Sequence, residues 1–359
     1  MTPNLPDQAA PRNRFLFILL YPFWNRAEKR VRTLWRLVLQ IAVMVPIFLL
    51  FNALFTDALE PYFKPAIVSS AIQTLAIGGS AWLLARLLDR RSFRDFGFQM
   101  DGAWWWDFAY GLGLGIVLMS AIFLLEYNLG WVTVTDNYWD QLEHFSFPLA
   151  FVFSIFFFAN VGFHEELLSR GYQMVNLAEG FHLKFCSRKV AVWVALLLTS
   201  SLFGFGHAGN PEATFFSTAN IVLAGLMLGL SYLVTGRLGL AVGFHISWNF
   251  FQGIVYGFPV SGLSERLPAK LLVLEQAGPD LLTGGKFGPE GGVVGLISLI
   301  LGTILILLWA KYRYGRVQIQ PELLGYPPKV QADLEAFERA NDAALAAAEP
   351  VTDPLEPEA

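Results

Sequence analysis

The amino-acid sequence predicts an all-α membrane protein, a polytopic bundle of about eight transmembrane helices. Of its 359 residues, 55% are hydrophobic and only 15% are charged, and the mean hydropathy is +0.48. A water-soluble globule of this composition would expose far too much apolar surface. Crossing a hydrocarbon core of roughly 30 Å takes about 20 apolar helical residues, and stretches of about this length recur along the chain.

The stretches that meet this criterion are 37–55, 66–84, 108–125, 147–163, 190–206, 215–234, 238–258 and 293–310. The fourth and fifth are the shortest, and both border polar motifs. We therefore expect these two helices to continue past their apolar limits.

Lys and Arg residues precede the first span and follow the second, fourth, sixth and eighth spans, so these residues all lie on one side of the membrane. Because positive residues near the ends of spans stay in the cytoplasm, both termini are predicted to be cytoplasmic. We divide the chain into a cytoplasmic or interfacial segment 1–36, a membrane-embedded domain 37–310 and an acidic cytoplasmic tail 311–359. Within the first segment, 15–24 is apolar but short and suits the membrane interface. In the tail, 328–348 is predicted as a surface helix and 349–359 as disordered. The expected location is the plasma or inner membrane.

Two further regions are predicted as loops. The acidic segment 126–146 carries no Lys or Arg and suits the outer face, while 259–292 has mixed charges and ends in a glycine-rich patch. The net charge of −4 and the pI near 5.8 exclude the basic surface that nucleic acid requires. The single cysteine, Cys186, excludes an intramolecular disulfide and a cysteine-based metal site.

The first polar motif contains Glu165, Glu166 and Arg170. Arg170 follows Glu166 by four residues, the favourable order for a helical ion pair, while Glu165 projects about 100° away on a helix. Glu166 can thus be neutralised while Glu165 stays free to take a proton from water. The alternative is an ordinary charged helix end at the cytoplasmic surface.

Two further motifs each place a histidine in an apolar segment. Phe203 and His207 end one predicted span, and His245 and Asn249 share a face of another at positions i and i+4. Two donors on one face can stabilise an oxyanion. The alternatives are a helix cap or interface anchor for His207 and an interhelical hydrogen bond for His245 and Asn249.

Together, these motifs resemble those of the CPBP intramembrane proteases, which include the type II CAAX prenyl endopeptidases and the bacterial abortive-infection (Abi) proteins. The resemblance covers residues 86–262. Its motifs are two glutamates, three residues and an arginine, then Phe-x-x-x-His, then His-x-x-x-Asn, and all three occur here in order. The flanking segments 96–98, 210–211, 224–226, 248–250 and 259–262 also fit the family.

The resemblance implies a role for each residue. Glu165 would be the general base, His207 would position or polarise the water, and His245 with Asn249 would stabilise the oxyanion. Glu166 and Arg170 would hold the helix and its charges, with Phe203 in support. The implied reaction is the hydrolysis of a peptide bond in a membrane-associated substrate, prenylated or leader-like, by an enzyme embedded in the lipid bilayer.

The resemblance leaves the cofactor open, because members of the family have been described both as metal-dependent and as metal-free. Glu165, His207 and His245 could ligate Zn²⁺ as a set of two histidines and one carboxylate. The motif His-Glu-x-x-His is absent, since Leu168 occupies its last position. This favours the absence of a tightly bound metal.

The predicted spans also raise a difficulty. They place Glu165 and His245 in the inner half of the membrane and His207 near the outer end of its helix, about 10 to 20 Å away in depth. A longer or tilted helix would have to close this gap. Two other functions also fit: a non-catalytic immunity or adaptor protein, and, less well, a transporter, for which the sequence has no symmetric pair of interrupted helices.

Overall fold

The computed structural model describes residues 20–59, 63, 65–140, 146–183, 185–264 and 267–348. It is 74% helical, which confirms the all-α membrane bundle. The principal helices, in chain order, are α1 (Thr33–Leu59), α2 (Pro65–Leu84), α3 (Gly102–Asn128), α4 (Phe147–Glu166), α5 (Arg188–His207), α6 (Phe215–Thr235), α7 (Gly239–Phe250), α8 (Val293–Tyr314) and α9 (Pro328–Ala348).

Within the described residues, seven helices are long and apolar enough to cross a membrane. The predicted span 238–258 instead forms the short helix α7, which continues through the wider turns Phe251–Val255. Nearly all of α7 is buried. It is surrounded by protein because it packs against α3, α4 and α6. The predicted number of about eight helices thus corresponds to seven long helices and one short internal helix.

The expected extension of α4 is confirmed. Its helical run continues without interruption through the π-helix Leu167–Met174 and on to Gly180, for 34 residues in all. Helix α5, by contrast, begins at Arg188 and ends at His207, close to its predicted limits. The long run of α4 matters because it places the polar motif inside a helix instead of at its end.

The sequence predicts no strands, but the described part of the chain contains four. Strand β1 (Trp24–Asn25) pairs with β2 (Arg30–Val31), and β3 (Val132–Asp140) pairs antiparallel with β4 (Ala269–Gln276). The second pair occupies both regions that were predicted as loops. The β-branched and aromatic residues of β3 favour an extended chain, a preference that a search for long apolar spans does not register.

The loop predictions need two further corrections. Glu126 is not in the loop 126–146, because α3 continues through it and buries its side chain completely. The glycine-rich patch is folded into two short 3₁₀ turns, Gly285–Phe287 and Pro289–Gly291, whose residues are mostly buried. Glycines allow this compact turn because three of them, Gly284, Gly285 and Gly288, have positive φ angles of 78°, 53° and 115°.

The termini agree with the predictions where they are described. Helix α9 has the bounds predicted for the surface helix. Residues 15–19 of the predicted interfacial segment and the predicted disordered tail 349–359 lie outside the described residues. The cytoplasmic placement of both termini stays a prediction.

Four glycines bring the backbones of α3 and α7 into contact. A Cβ atom at Gly243 would lie 2.3 Å from the carbonyl oxygen of Phe108, and one at Gly111 would lie 2.2 Å from that of Leu240. Gly115 and Gly239 are equally restricted. Small residues at four-residue spacing are a common basis of helix packing in membranes, and here they fix the position of α7.

A buried cluster of charges fixes the end of the α4 run near Gly180. The Glu179 carboxylate contacts Arg30 at 2.8 Å, Arg36 at 3.0 Å and also Arg91. These arginines come from β2, α1 and the segment after α2. Because a buried carboxylate without its partners is strongly unfavourable, the cluster ties the first two helices to the end of α4.

We expect Gly243→Val to destabilise the protein, because a side chain would collide with the Phe108 carbonyl. The expected cost is about 1 to 3 kcal/mol or more, which is typical of overpacking. It can be measured as a lower melting temperature in detergent. Gly113→Val is the matched control on α3, since a Cβ there meets nothing within 4 Å. Equal melting temperatures for the two variants would contradict this packing.

Candidate active site

Three helices bring the predicted motifs to one cavity of about 1250 Å³. Helix α4 contributes Glu165, α5 contributes its last turn, and α7 contributes one face. The predicted residues that line the cavity are Glu165, Phe203, His207, His245 and Asn249. The structure therefore brings together all the residues predicted to touch the substrate or water.

Behind the cavity wall, Glu166 is the centre of a buried hydrogen-bond network. Its Oε1 accepts from Arg170 Nη1 at 2.9 Å and lies 2.8 Å from His245 Nδ1. The predicted ion pair between Glu166 and Arg170 is thus present. Arg170 also donates to the carbonyl of Gly225 at 3.2 Å and lies 4.4 Å from the centroid of the Phe203 ring. Arg170 thus contacts α5 and α6, and Glu166 contacts α7.

His245 has two different sides. Its Nδ1 faces a carboxylate, which only accepts, so Nδ1 carries a proton. Its Nε2 lies 3.7 Å from Oε2 of Glu165. The interhelical hydrogen bond considered as an alternative is therefore real, because His245 joins α7 to Glu166 of α4. The same geometry leaves the other edge of the ring at the cavity.

Glu165 differs from its neighbour in exposure. Its side chain is 28% exposed, against 0% for Glu166. Its Oε2 has no hydrogen-bond partner among the described residues. The interpretation of Glu165 as part of a charged helix end is wrong, because the helix continues from it to Gly180. Its carboxylate is thus available for chemistry in the cavity.

His207 is the last residue of α5. Its Nδ1 lies 2.8 Å from the carbonyl oxygen of Phe203, so Nδ1 donates to this oxygen and Nε2 is the ring nitrogen left for the cavity. The Phe203 ring lies beside both histidines, with its centroid 4.8 Å from that of His207 and 6.2 Å from that of His245. The ring therefore bridges the last turn of α5 and the middle of α7.

The predicted difference in depth is wrong, because α4 is longer than its apolar part. The α4 run ends at Gly180, and α5 begins at Arg188. Helix α5 packs against the last section of the α4 run. With a rise of about 1.5 Å per residue, Glu165 and His207 stand about 22 and 28 Å from those two ends. The remaining difference of about 6 Å is within reach of side chains around one cavity.

The arrangement does not fit a metal ion. No group of three histidine, cysteine or acidic residues among those the structure describes is placed to hold one. The predicted set of Glu165, His207 and His245 is no exception among these residues. We therefore derive no step of the reaction through a metal.

Two ionisable residues of the cavity wall were not among the predicted site residues. His164 is buried, with Nδ1 3.0 Å from Thr74 Oγ1, and Glu290 is buried in the glycine-rich turns. Burial raises the pKa of the Glu290 carboxyl to about 7, although hydrogen bonds from Ser261 and Gln252 act to lower it. The signal in the sequence is an acid between a proline and two glycines, a composition that predicts a loop.

Residues 146–251 match the family model of the type II CAAX prenyl endopeptidase Rce1-like proteins. The match contains all three motifs and confirms the resemblance over a shorter range than the predicted 86–262. At the family level it supports a CAAX-type intramembrane protease. No curated protein and no solved structure matches the chain.

We expect Arg170→Met to destabilise the protein, because it leaves the buried Glu166 carboxylate without its cationic partner. Removing one member of such a pair costs about 3 to 5 kcal/mol, and the double variant with Glu166→Gln should recover part of it. Thermal unfolding in detergent measures both. Arg339→Met is the control, since its i, i+4 partner Glu335 lies 3.9 Å away on an exposed helix. A similar loss in both arginine variants would contradict the network.

Proposed function

We propose that the chain is an intramembrane endopeptidase in which Glu165 activates a water molecule for attack on a peptide bond. The substrate would be a membrane-associated peptide, prenylated or leader-like. The observation that carries the proposal is the common cavity of Glu165, His207, His245 and Asn249, lined by helices of a membrane bundle. Ionisable groups in such a position are costly, and they are characteristic of functional sites.

In this mechanism, a water molecule lies between Glu165 and His207. The carboxylate of Glu165, whose side chain is 28% exposed, takes a proton from the water, and Nε2 of His207 accepts its second hydrogen and so orients it. The hydroxide character that develops on the water lets its oxygen attack the carbonyl carbon. Glu165 then returns the proton to the nitrogen of the leaving amine.

Two side chains of α7 stabilise the oxyanion. The carboxylate of Glu166, behind the His245 ring, favours the imidazolium form, in which Nε2–H donates toward the cavity. The Asn249 side chain supplies a second donor from the next turn of α7. Because the Glu166 network fixes the ring, this donor is oriented before the substrate arrives.

The same cavity continues between α1 and α2, where the substrate would lie. Its wall there carries uncharged polar side chains among apolar ones, namely Asn52, Thr56, Ser69 and Gln73. Such groups can form hydrogen bonds with the backbone of an extended peptide, while the apolar wall accepts its side chains. This part of the cavity lies outside the matched segment 146–251.

We expect Glu165→Gln to lower kcat/KM by about 10² to 10⁴, the usual contribution of a general base, with an unchanged melting temperature. Asn249→Ala should lower it by about 10² to 10³ through the loss of one oxyanion donor. The assay is cleavage of a library of prenylated and leader-like peptides by detergent-purified protein, followed by mass spectrometry, with and without a chelator.

Glu275→Gln, on the exposed side of β4, is the control and should cleave at the wild-type rate. Three outcomes would contradict the proposal. An uncleaved library together with a biological effect that survives Glu165→Gln would favour an adaptor. Ion or proton flux in liposomes without a peptide product would favour a transporter. Loss of cleavage on chelation would contradict the metal-free mechanism.

A further inference from the structure

Glu290 is a buried acid in the wall of the proposed active site, outside the segment that matches the family. It lies on the turn Pro289–Gly291, just before α8, and is 5% exposed. The residue lines the same cavity as Glu165 and His207. A buried carboxyl group is costly to keep unless its oxygens form hydrogen bonds. Its contacts therefore indicate what it does.

Both oxygens of Glu290 are engaged. Oε1 accepts from the backbone nitrogen of Ser261 at 2.6 Å and from its hydroxyl at 3.2 Å. Oε2 accepts from the Gln252 side chain, whose Nε2 also donates to the Pro259 carbonyl at 2.6 Å. Glu290 thus ties the turns that extend α7 to the loop that follows them.

That loop has an unfavourable backbone that needs such support. Ser261 has a φ of 47°, in the left-handed region that residues with a side chain seldom adopt. The next residue, Gly262, has a φ of 76°, and a Cβ atom there would lie 1.9 Å from the carbonyl oxygen of Pro211. The backbone of this loop therefore packs closely against the segment that follows α5.

The contacts continue from this loop to His207. The carbonyl of Ser261 accepts from Asn210 Nδ2 at 3.0 Å, and the backbone nitrogen of Asn210 donates to the carbonyl of His207, also at 3.0 Å. A chain of hydrogen bonds consequently runs from Glu290 through Ser261 and Asn210 to His207. Together with the Phe203 ring, this chain supports the open end of α5.

We propose that Glu290 is a positioning residue for the reaction: by fixing Ser261, and through it Asn210, it holds His207 at the position where it orients the attacking water. This inference rests on the proposed function. It adds a residue from the end of the chain's membrane domain to a site otherwise contributed by α4, α5 and α7. Glu290 itself does not touch the reacting atoms.

The kinetic test compares Glu290→Ala, Glu290→Gln and Asn210→Ala. Glu290→Ala should lower kcat by about 10- to 100-fold with KM within twofold, because small displacements of a catalytic group have effects of this size. Glu290→Gln keeps an oxygen for Ser261 and should restore most of the loss. The double variant Glu290→Ala with Asn210→Ala should be no slower than the slower single variant, because both act through one chain of contacts.

Glu275→Ala, an exposed acid on β4, is the control and should leave kcat unchanged. Multiplied effects in the double variant, or a change in KM alone, would overturn the inference. So would a kcat for Glu290→Ala equal to that of the control.

A second measurement is independent of cleavage. In hydrogen–deuterium exchange, the peptide that covers residues 208–213 should exchange at least several-fold faster in Glu290→Ala than in the wild type or in Glu275→Ala. Unchanged exchange would overturn the inference. If the wild type cleaves no peptide while the exchange increases as expected, the proposed function fails and the contact chain from Glu290 stands.

Discussion

The structure depends on one buried carboxylate, that of Glu166, held between the guanidinium of Arg170 and the imidazole of His245. In a medium of low dielectric, such a charge is tolerated only when its partners are in place. Two of these residues belong to the α4 run and one to α7, so the network sets the rotation of both helices. Because Oε1 of Glu166 already contacts both Arg170 and His245, this residue is held in the network, and Glu165, which points to another side of the same helix, is left for the cavity.

The second constraint is the close approach of α7 to α3. Helix α7 is too short to be held by lipid on its own, and it carries two of the four proposed catalytic residues. Glycines on both helices allow the backbones to touch, and this contact fixes the depth of His245 and Asn249. The Glu166 network fixes the rotation of α7, and the glycine contact fixes its position. Together they give an active site whose donors are oriented in advance.

Much of this could be predicted from the sequence. The lengths of the apolar stretches predicted the long helices. The i, i+4 spacing of Glu166 and Arg170 predicted an ion pair, which the structure contains. The spacing of His245 and Asn249 likewise predicted their common face. These features are local, so they follow from the geometry of one helix. The end of α4 could not be found in the same way, because its last turns are held by the charged contacts of Glu179, and apolar length does not report those.

Features that depend on distant parts of the chain were missed for the same reason. The pairing of β3 with β4 joins segments more than a hundred residues apart. The proposed role of Glu290 likewise depends on its contacts with Ser261 and Gln252. The turn that carries it is rich in glycine, and composition alone suggested a loop. The predicted difference in depth between Glu165 and His207 arose from treating apolar limits as helix limits.

The central claim is that Glu165 faces a water-filled cavity inside the membrane domain and not the lipid. It is tested most directly by thiol labelling of Glu165→Cys in a Cys186→Ser background, using a charged methanethiosulfonate that reacts only in water. Phe156→Cys is the control, because this side chain lies on the same helix and is 60% exposed on the outside of the bundle. The account predicts rapid labelling at position 165 and little at position 156. An unreactive position 165 beside a reactive position 156 would contradict it.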